Sequence, residues 1–506
     1  MPALDQVAAQ RTLGELLPDA VDASSRDLLV SGLQLDSRSL QSGDLFMAFP
    51  GEQHDGRDYL AEAAAVGAVA CVVERGLTQA QRDAASGLAL LEVDGLAQQV
   101  GNIAARFYGH PSARMHLVGI TGTNGKTTTS RLLAQLLRGA HGQCGVIGTL
   151  GASLDDAAAD AANTTPDAIS LQAQLAGWLA QGVQHAVLEV SSHALEQGRV
   201  NGLEFDTAVF TNLTHDHLDY HGDMASYGAA KARLFAFDGL AGAVVNADDP
   251  YAATIAASCP LQVLGYSVAG GAFEEPASGP LEISVTASDL QYRAGGLQAW
   301  LRSPWGDGEL NSPLAGEFNL SNLLAAISAA CLAGVPLPQV LREVPALRGV
   351  PGRMEYVPNQ REIQAVVDYA HTPDALRQAL QALRAHTGGE LICVFGCGGD
   401  RDAEKRPVMG AIASECADRA VVTSDNPRNE NPMSIIDHVV DGMSGAYEVE
   451  PDRAAAIRRA VELAQPGDAI LVAGKGHETY QQLGSERFPF SDVSELRLAL
   501  AAGGES

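Results

Sequence analysis

Residues 115–130 read MHLVGITGTNGKTTTS, and this stretch constrains the fold more than any other. A short apolar run is followed by a glycine-rich turn and then by a Lys-Thr pair that opens a helical stretch. Strand, tight loop and helix in that order make half of a βαβ unit, which needs parallel neighbours to bury both faces of its strand. The loop also has a chemistry. Backbone N–H groups and the helix N-terminus can hold phosphates, Lys126 adds a point charge, and the Thr127 hydroxyl can ligate Mg²⁺. The strict phosphate-loop pattern places a glycine five residues ahead of Gly125. This chain has Ile120 there, so the loop is a variant.

The expected neighbours are present. HAVLEV, DTAVFT and GAVVNA are apolar runs of strand length, several of them separated by helical stretches, and EFNLSNLLAAISAACLAGV reads as a long helix ended by Gly334. Residues 260–315 alternate as β structure does and are expected as an inserted or edge sheet. Before this block, GDLFMAF and AVACVVE flank the helical YLAEAAAVG, and a helix ending in Gly-His-Pro follows. After it, IQAVVDYA, LICVFGC, RAVVTS and AILVAG again alternate with helices. The fold expected is α/β with three domains. Residues 1–98 form a smaller N-terminal α/β domain and 99–344 a central, phosphate-loop-type, doubly wound parallel sheet. Residues 345–506 form a C-terminal Rossmann-like domain. At 506 residues the chain is too long for one ordinary core.

Composition removes several classes of function. A net charge of −28 argues against a large nucleic-acid footprint. It also means that an acidic ligand must be held by local donors. The seven cysteines are scattered without a CxxC pair, which suggests reduced thiols and a cytoplasmic protein. Cys393 and Cys397 are four apart, but no second pair completes a zinc site. The N-terminus lacks a signal-peptide pattern, and no run of 18 apolar residues could span a membrane.

Polar clusters fall at the C-terminal ends of the strands, where parallel sheets place ligand sites. LEVSSH puts Glu189 at one end; TNLTHDHLDYHG brings His215, His217 and His221 close together at another. A carboxylate and a histidine at neighbouring strand ends, beside a phosphate loop, suit Mg²⁺ ligation, although histidines in such runs are more often structural. Lys231, taken alone, reads as a surface helix lysine. TSDNPRNENP holds Arg428 between Pro427 and Pro432, after another strand. A solvent-exposed turn is the plain reading of that segment.

These residues together carry a resemblance. TGTNGKTTT, EVSSH, NLTHDHLDYHG, GEFNLSNLLAA, GVPGRME, DYAHTPDAL, VFGCGGDRDAEKRP, SDNPR and GKGHE occur in the order found in Mur ligases, and LDSR and GDLF extend the match into the first domain. The chain most resembles the members that add the third residue of the peptidoglycan stem. The resemblance implies an ATP-dependent amide ligase acting on UDP-MurNAc-L-Ala-D-Glu. Gly122, Thr123, Asn124, Gly125, Lys126, Thr127 and Thr128, with Asn319 and Arg353, would bind ATP. Leu35, Ser37, Glu52, Gln53 and His54 would lie near the uridine; Asn163, Thr164, Thr165, Ser191, Gln197 and Arg199 would hold the muramoyl dipeptide. Thr127, Glu189, His217 and Lys231, the last as a CO₂-derived carbamate, would ligate Mg²⁺, with Lys126, His217 and Lys231 as the catalytic set.

The same resemblance implies that Arg401, Asp425, Asn426, Pro427, Arg428, Gly474 and Glu478 bind the incoming amino acid, and that a DNPR motif goes with meso-diaminopimelate. Physics agrees: diaminopimelate is lysine with a second carboxylate beside its far amine, and arginine offers a planar fork for that carboxylate. The protein is expected as a cytoplasmic monomer with no nucleic-acid partner and no membrane insertion. The alternatives are the same reaction with L-lysine, a sibling ligase adding D-alanyl-D-alanine, a folylpolyglutamate synthase, and a phosphate-loop ATPase without ligase activity. The last leaves Lys231, Arg401 and DNPR unexplained.

Overall fold

The computed structural model describes residues 10–51, 54–154, 163–268, 281–293, 296–314 and 316–502. Glu52 and Gln53 therefore lie outside the described residues. Three principal sheets follow one another along the chain.

The first is a parallel sheet in spatial order Gly32–Gln34, Asp44–Ala48, Ala70–Glu74, Ala89–Val93. Asp44–Ala48 and Ala70–Glu74 are the two apolar runs picked out above. The helix Leu96–Tyr108 packs its Leu96, Val100, Ile103 and Phe107 into the same core as Leu45, Val72 and Leu91. A boundary at residue 98 thus falls inside a helix that belongs to the first core.

The second sheet has ten strands. Seven consecutive ones are mutually parallel, in the order Leu281–Arg293, Val263–Ser267, Gly242–Asn246, Thr207–Phe210, His116–Thr121, His185–Glu189, Cys144–Gly148. The strand leading into the phosphate loop is central and buried on both faces. Its Val118 and Ile120 meet Leu133, Leu137, Leu323 and Ile327 of the helices Lys126–His141 and Glu317–Leu332. Its Leu117 points to the opposite core, with Leu171 and Trp178 of the helix Ala168–Ala180. The strands Leu281–Arg293, Gly296–Ser303 and Gly306–Ser312 extend one edge, as the alternating pattern of 260–315 implied. From His116–Thr121 the chain first visits Cys144–Gly148 and His185–Glu189 on one side, then crosses to Thr207–Phe210 on the other. The strand order reverses there, and such reversals open a crevice at the strands' carboxyl ends.

The third sheet runs Glu355–Tyr356, Gln364–Asp368, Ala469–Ala473, Leu391–Phe395, Arg419–Val422, Tyr447–Val449, the last five parallel. A hairpin of Tyr480–Leu483 and Glu486–Pro489 stands beside it.

Candidate active site

The phosphate loop sits in the central crevice. Gly122 (φ +148°) and Gly125 (φ +81°) adopt backbone conformations closed to most side chains, and a Cβ on either would collide, with the Thr211 hydroxyl and the Asn322 amide respectively. The loop is fixed from the neighbouring strand end: Thr123 N donates to Asn212 O (2.8 Å), Asn124 N to Asn212 Oδ1 (2.8 Å), and Thr211 Oγ1 to Asn124 O (2.6 Å). Gly125 caps the helix Lys126–His141 without a side-chain acceptor. The helix N-terminus therefore keeps its N–H groups and partial positive charge for an anion.

Two lysines converge on this loop. Lys126 Nζ donates to Gly122 O and Thr123 O, both at 2.8 Å, and Lys231 Nζ also donates to Gly122 O at 2.8 Å. Lys231 is not a surface lysine: it is 1% exposed and lies 4.2 Å from the ring centroid of Tyr227. Burial holds its pKa well below that of an ordinary lysine; Lys126 depresses it further, against Asp216. Burial likewise lowers Lys126, opposed by Glu189 and Asp216. A buried lysine beside a second cation keeps a neutral, nucleophilic amine.

Glu189 is 1% exposed. Thr127 Oγ1 donates to its Oε2 (2.9 Å), Thr149 Oγ1 to the same oxygen (3.1 Å) and Thr149 N to Oε1 (3.1 Å). The helix that follows the glycine loop and the strand end that carries the acid are thus joined directly. His217 begins the short helix Leu218–His221 at φ +54°, its Nε2 3.4 Å from Asp216 Oδ2 and its ring 5.0 Å from that of His193. His221 Nε2 lies 2.9 Å from Ser192 Oγ and Nδ1 3.2 Å from Glu196, a structural role, and His215 is exposed. Among the described residues no three His, Cys, Asp or Glu side chains are disposed to hold a metal by themselves. A hydroxyl, a carboxylate and an imidazole beside a phosphate loop fit Mg²⁺ instead, because that ion keeps waters and shares phosphate oxygens.

The dipeptide candidates form one connected surface at Glu189. Thr165 Oγ1 donates to Glu189 O (2.8 Å) and accepts from Ser191 N (3.0 Å); Arg199 Nη1 donates to Thr165 O (3.1 Å) and bonds Gln197 through Nη2. Gln197 in turn reaches Tyr220 Oη (3.2 Å), and Thr164 lies 3.1 Å from Thr149 Oγ1. Asn163 is exposed at the head of this segment. In the first unit Ser37 donates to Glu62 (2.9 Å), Leu35 is half-buried and His54 exposed. Gln98 Nε2, on the helix of that unit, donates to Glu196 O (3.1 Å) beside Gln197.

The C-terminal unit closes one side. Asn124 Nδ2 donates to Asp374 Oδ2 (3.2 Å) at the start of the helix Pro373–His386, and Thr128 lies buried in the helix that follows the loop. Arg353 stacks 4.5 Å over the Tyr369 ring. Asn319 is buried in the first turn of Glu317–Leu332. Sequence reasoning passed over Asp216, although it stands between the two histidines that drew attention. Burial opposes its ionisation, but His217, His371, Lys405 and Lys126 together hold its pKa below the ordinary value. It is the acid at which cations of the central and C-terminal units meet.

The TSDNPRNENP loop is half-buried, not a free turn. Asp425, Asn426 and Pro427 are buried and Arg428 is partly so. Arg428 has φ +51°; its N donates to Gln482 O (3.2 Å), its O accepts from Gly484 N (2.7 Å), and its Nη1 donates to Gly399 O (2.7 Å). Asn426 Nδ2 and Lys475 Nζ both donate to Glu478 Oε2, at 2.7 and 2.9 Å. A Cβ at Gly474 (φ +120°) would crowd the Asp425 carboxylate at 2.5 Å. Arg401 is exposed on the adjoining loop. Lys475, fully buried, went unremarked within GKGHE because a lysine in a loop carries no sequence sign of burial.

Fold and loop together define the class: a multi-unit α/β protein built round a phosphate-loop sheet. Family models for the Mur ligase catalytic domain, the Mur ligase middle domain and the Mur ligase glutamate ligase domain match residues 29–108, 120–330 and 352–476. Two proteins called UDP-N-acetylmuramoyl-L-alanyl-D-glutamate--2,6-diaminopimelate ligase are close in sequence. The one from Coxiella burnetii is 47% identical over 96% of this chain and 99% of its own. The one from Synechococcus elongatus is 50% identical over 94% and 95%. A solved structure of a ligase of that name superimposes with a TM-score of 0.72 at 38% identity, over 98% of this chain and all of that one. The chain belongs to the Mur ligase family, whose members are ATP-dependent amide ligases.

Proposed function

We propose that this ligase joins meso-2,6-diaminopimelate to the D-glutamyl side-chain carboxylate of UDP-MurNAc-L-Ala-D-Glu, at the expense of ATP, in peptidoglycan precursor synthesis. The observation that carries the chemistry is the convergence at Gly122: the phosphate loop, Lys126, Lys231 and the Thr127–Glu189 bond meet beside the Thr165–Ser191–Arg199 surface. A nucleotide γ-phosphate and an acceptor carboxylate would there be neighbours. Transfer of the phosphoryl group to the carboxylate gives an acyl phosphate; the amine of the amino acid attacks it, and phosphate leaves as the amide forms. The chain's part is positioning and charge neutralisation.

In this reading Gly122–Thr128, Asn319 and Arg353 hold ATP. Leu35, Ser37, Glu52, Gln53 and His54 hold the uridine end; Asn163, Thr164, Thr165, Ser191, Gln197 and Arg199 hold the dipeptide. Thr127, Glu189 and His217 would hold Mg²⁺, which when bound would offset phosphate charge. Lys231, whose pKa burial lowers, would take up CO₂ as a carbamate and become an anion suited to the same ion. The amino acid falls to Arg401, Asp425, Asn426, Pro427, Arg428, Gly474 and Glu478. Asn426 and Lys475 hold the Glu478 carboxylate in place to receive an ammonium group.

The first unit is drawn to end after the helix Leu96–Tyr108, near Gly109–Pro111, because that helix packs on the first core; the second boundary stays near 345. The substrates place the enzyme in the cytoplasm. The enzyme is read as acting as a monomer. Among the described residues no helix is long and apolar enough to cross a membrane. The test is phosphate release with UDP-MurNAc-L-Ala-D-Glu and a panel of amino acids. Release that requires both the acceptor and diaminopimelate is expected; release without an acceptor, or with D-alanyl-D-alanine, refutes the reading.

A further inference from the structure

We propose that Arg406 and Glu430 are a positioning pair that sets the spacing of Arg401 and Arg428 and thereby governs amino-acid preference. The inference rests on the reading above that these two arginines face the incoming amino acid. Neither Arg406 nor Glu430 belongs to the residues assigned to a substrate.

Arg406 lies in the first turn of the helix Lys405–Cys416, whose Met409, Ile412 and Ala413 are in the C-terminal core. Its side chain is 1% exposed and forks onto Glu430: Nη1 to Oε2 at 2.9 Å and Nη2 to Oε1 at 2.8 Å. Nη1 also lies 3.2 Å from His438 Nδ1, which must accept because arginine only donates, and Nη2 reaches Gly398 O at 3.4 Å. A buried guanidinium with a planar fork is a rigid anchor, unlike a surface ion pair.

Glu430 carries that rigidity to two loops at once. Its Oε1 accepts from Asp400 N at 2.6 Å, so the carboxylate that answers Arg406 also pins the residue before Arg401. Asp400 has φ +53° and Arg428 φ +51°, conformations that non-glycine residues seldom hold unless neighbours impose them. Three more bonds close the loops against each other: Gly399 N to Asn426 O (2.9 Å), Asn429 Nδ2 to Asp400 Oδ2 (2.8 Å) and Arg428 Nη1 to Gly399 O (2.7 Å). Of the links between the loops, the one through Glu430 ends on a buried charge in a helix. Arg428 is held as well by the hairpin, through Gln482 O and Gly484 N, whereas the Asp400–Arg401 turn meets the helix through Glu430 and through the Arg406 Nη2–Gly398 O contact. Two carboxylates at opposite ends of one amino acid can be told from one only if the distance between their cations is fixed.

The experiment compares Glu430→Ala, Glu430→Gln and Arg406→Lys with the parent enzyme. The readouts are KM for diaminopimelate, ATP and the acceptor, kcat, the diaminopimelate-to-lysine ratio of kcat/KM, and the melting temperature. Glu430→Ala is expected to raise the diaminopimelate KM roughly 10–100-fold, the scale of an ångström-sized misplacement, and to lower the ratio in step. KM for ATP and acceptor should stay within about twofold, which a general loosening of the fold would not produce. Arg406→Lys keeps the charge but not the fork and should fall between parent and Glu430→Ala. Should Glu430→Ala fail to fold, Glu430→Gln carries the test: it keeps the shape, weakens the charge-assisted bonds and should raise the diaminopimelate KM at least about threefold. An unchanged diaminopimelate KM in the folded variant, with only the melting temperature lowered, overturns the proposal. Arg401→Ala and Arg428→Ala run alongside. If they too leave that KM unchanged, the amino-acid site itself is misassigned; if they raise it and the Glu430 variants do not, only the positioning pair is refuted.

Discussion

Replacing Arg428 by alanine separates diaminopimelate from lysine. In the reading above, Arg428 meets the far carboxylate of diaminopimelate, a group that lysine lacks. Losing one partner of a buried, hydrogen-bonded charge pair costs about 2–5 kcal/mol. Two features put this site at the lower end. Arg428 is only half-buried, so solvent screens part of the pair, and its Nη1 already donates to Gly399 O. About 2–3 kcal/mol remains, which is roughly 30–150-fold in kcat/KM for diaminopimelate at about 1.4 kcal/mol per tenfold. For lysine the same change removes a cation that faces no carboxylate of the substrate, so kcat/KM should move by less than about threefold. The assay is a competition: both amino acids at known ratio, with the two UDP-linked products separated and counted. Arg428→Lys is the companion variant. It keeps a charge but not a fork, and should recover only part of the preference. Equal losses for both amino acids would mean that Arg428 holds the loop and does not read the substrate. An unchanged ratio would refute the assignment outright.

Three further outcomes follow from the site. Lys126→Ala should abolish product formation and weaken ATP binding while leaving the melting temperature close to that of the parent; near-normal turnover would remove the phosphate-loop assignment. Enzyme equilibrated with ¹³C-bicarbonate should show a carbamate resonance that disappears in Lys231→Ala, and small carboxylic acids should restore some activity to that variant; its persistence would place the carbamate elsewhere. His185, at the far end of the central sheet, has its pKa pushed down from 6.5 to about 4 by burial, with His141 and His116 adding to the effect against Asp206. The unfolded chain thus binds a proton there before the native one does. The contribution is intact above pH 6.5 and is lost as pH falls toward 4, so stability should decline across that window. His185→Gln should flatten the decline in a melting series, and an unaltered slope would show that other groups carry it.

Much of the fold was legible because each element carries a repeating signal. Apolar runs of four to six residues ending in Thr121, Glu189 and Phe210 announced both strands and site, since a parallel strand is apolar throughout and polar at its carboxyl end. Short strands gave no such sign. Gly32–Gln34 is three residues long, and the hairpin strand Tyr480–Leu483 alternates no more clearly than a loop. Burial of charge was the larger blind spot. Lys231, Arg406 and Lys475 are all 1% exposed or less, yet each sits among residues that read as surface. Their burial depends on partners far along the chain, such as Gly122 for Lys231. For Lys231 the family resemblance supplied what periodicity could not; for Arg406 nothing in the sequence did.

The chain's net charge of −28 bears on how such a site works. ATP and the UDP-linked acceptor are anionic, and the long-range field of the protein opposes both; diaminopimelate, with two carboxylates and two ammonium groups, carries no net charge. Screening shortens that field to about 8 Å at physiological ionic strength, so repulsion acts on the approach and little on the bound state. Inside the clefts the local balance reverses: Lys126 and Lys405 act on Asp216 where the central and C-terminal units face each other, and Arg353 adds a further cation near Lys126. Burial opposes the ionisation of Asp216, but His217 of its own unit and His371 and Lys405 of the other hold its carboxyl below the ordinary value. A bound triphosphate brings more negative charge to the same cations and competes with Asp216 for them.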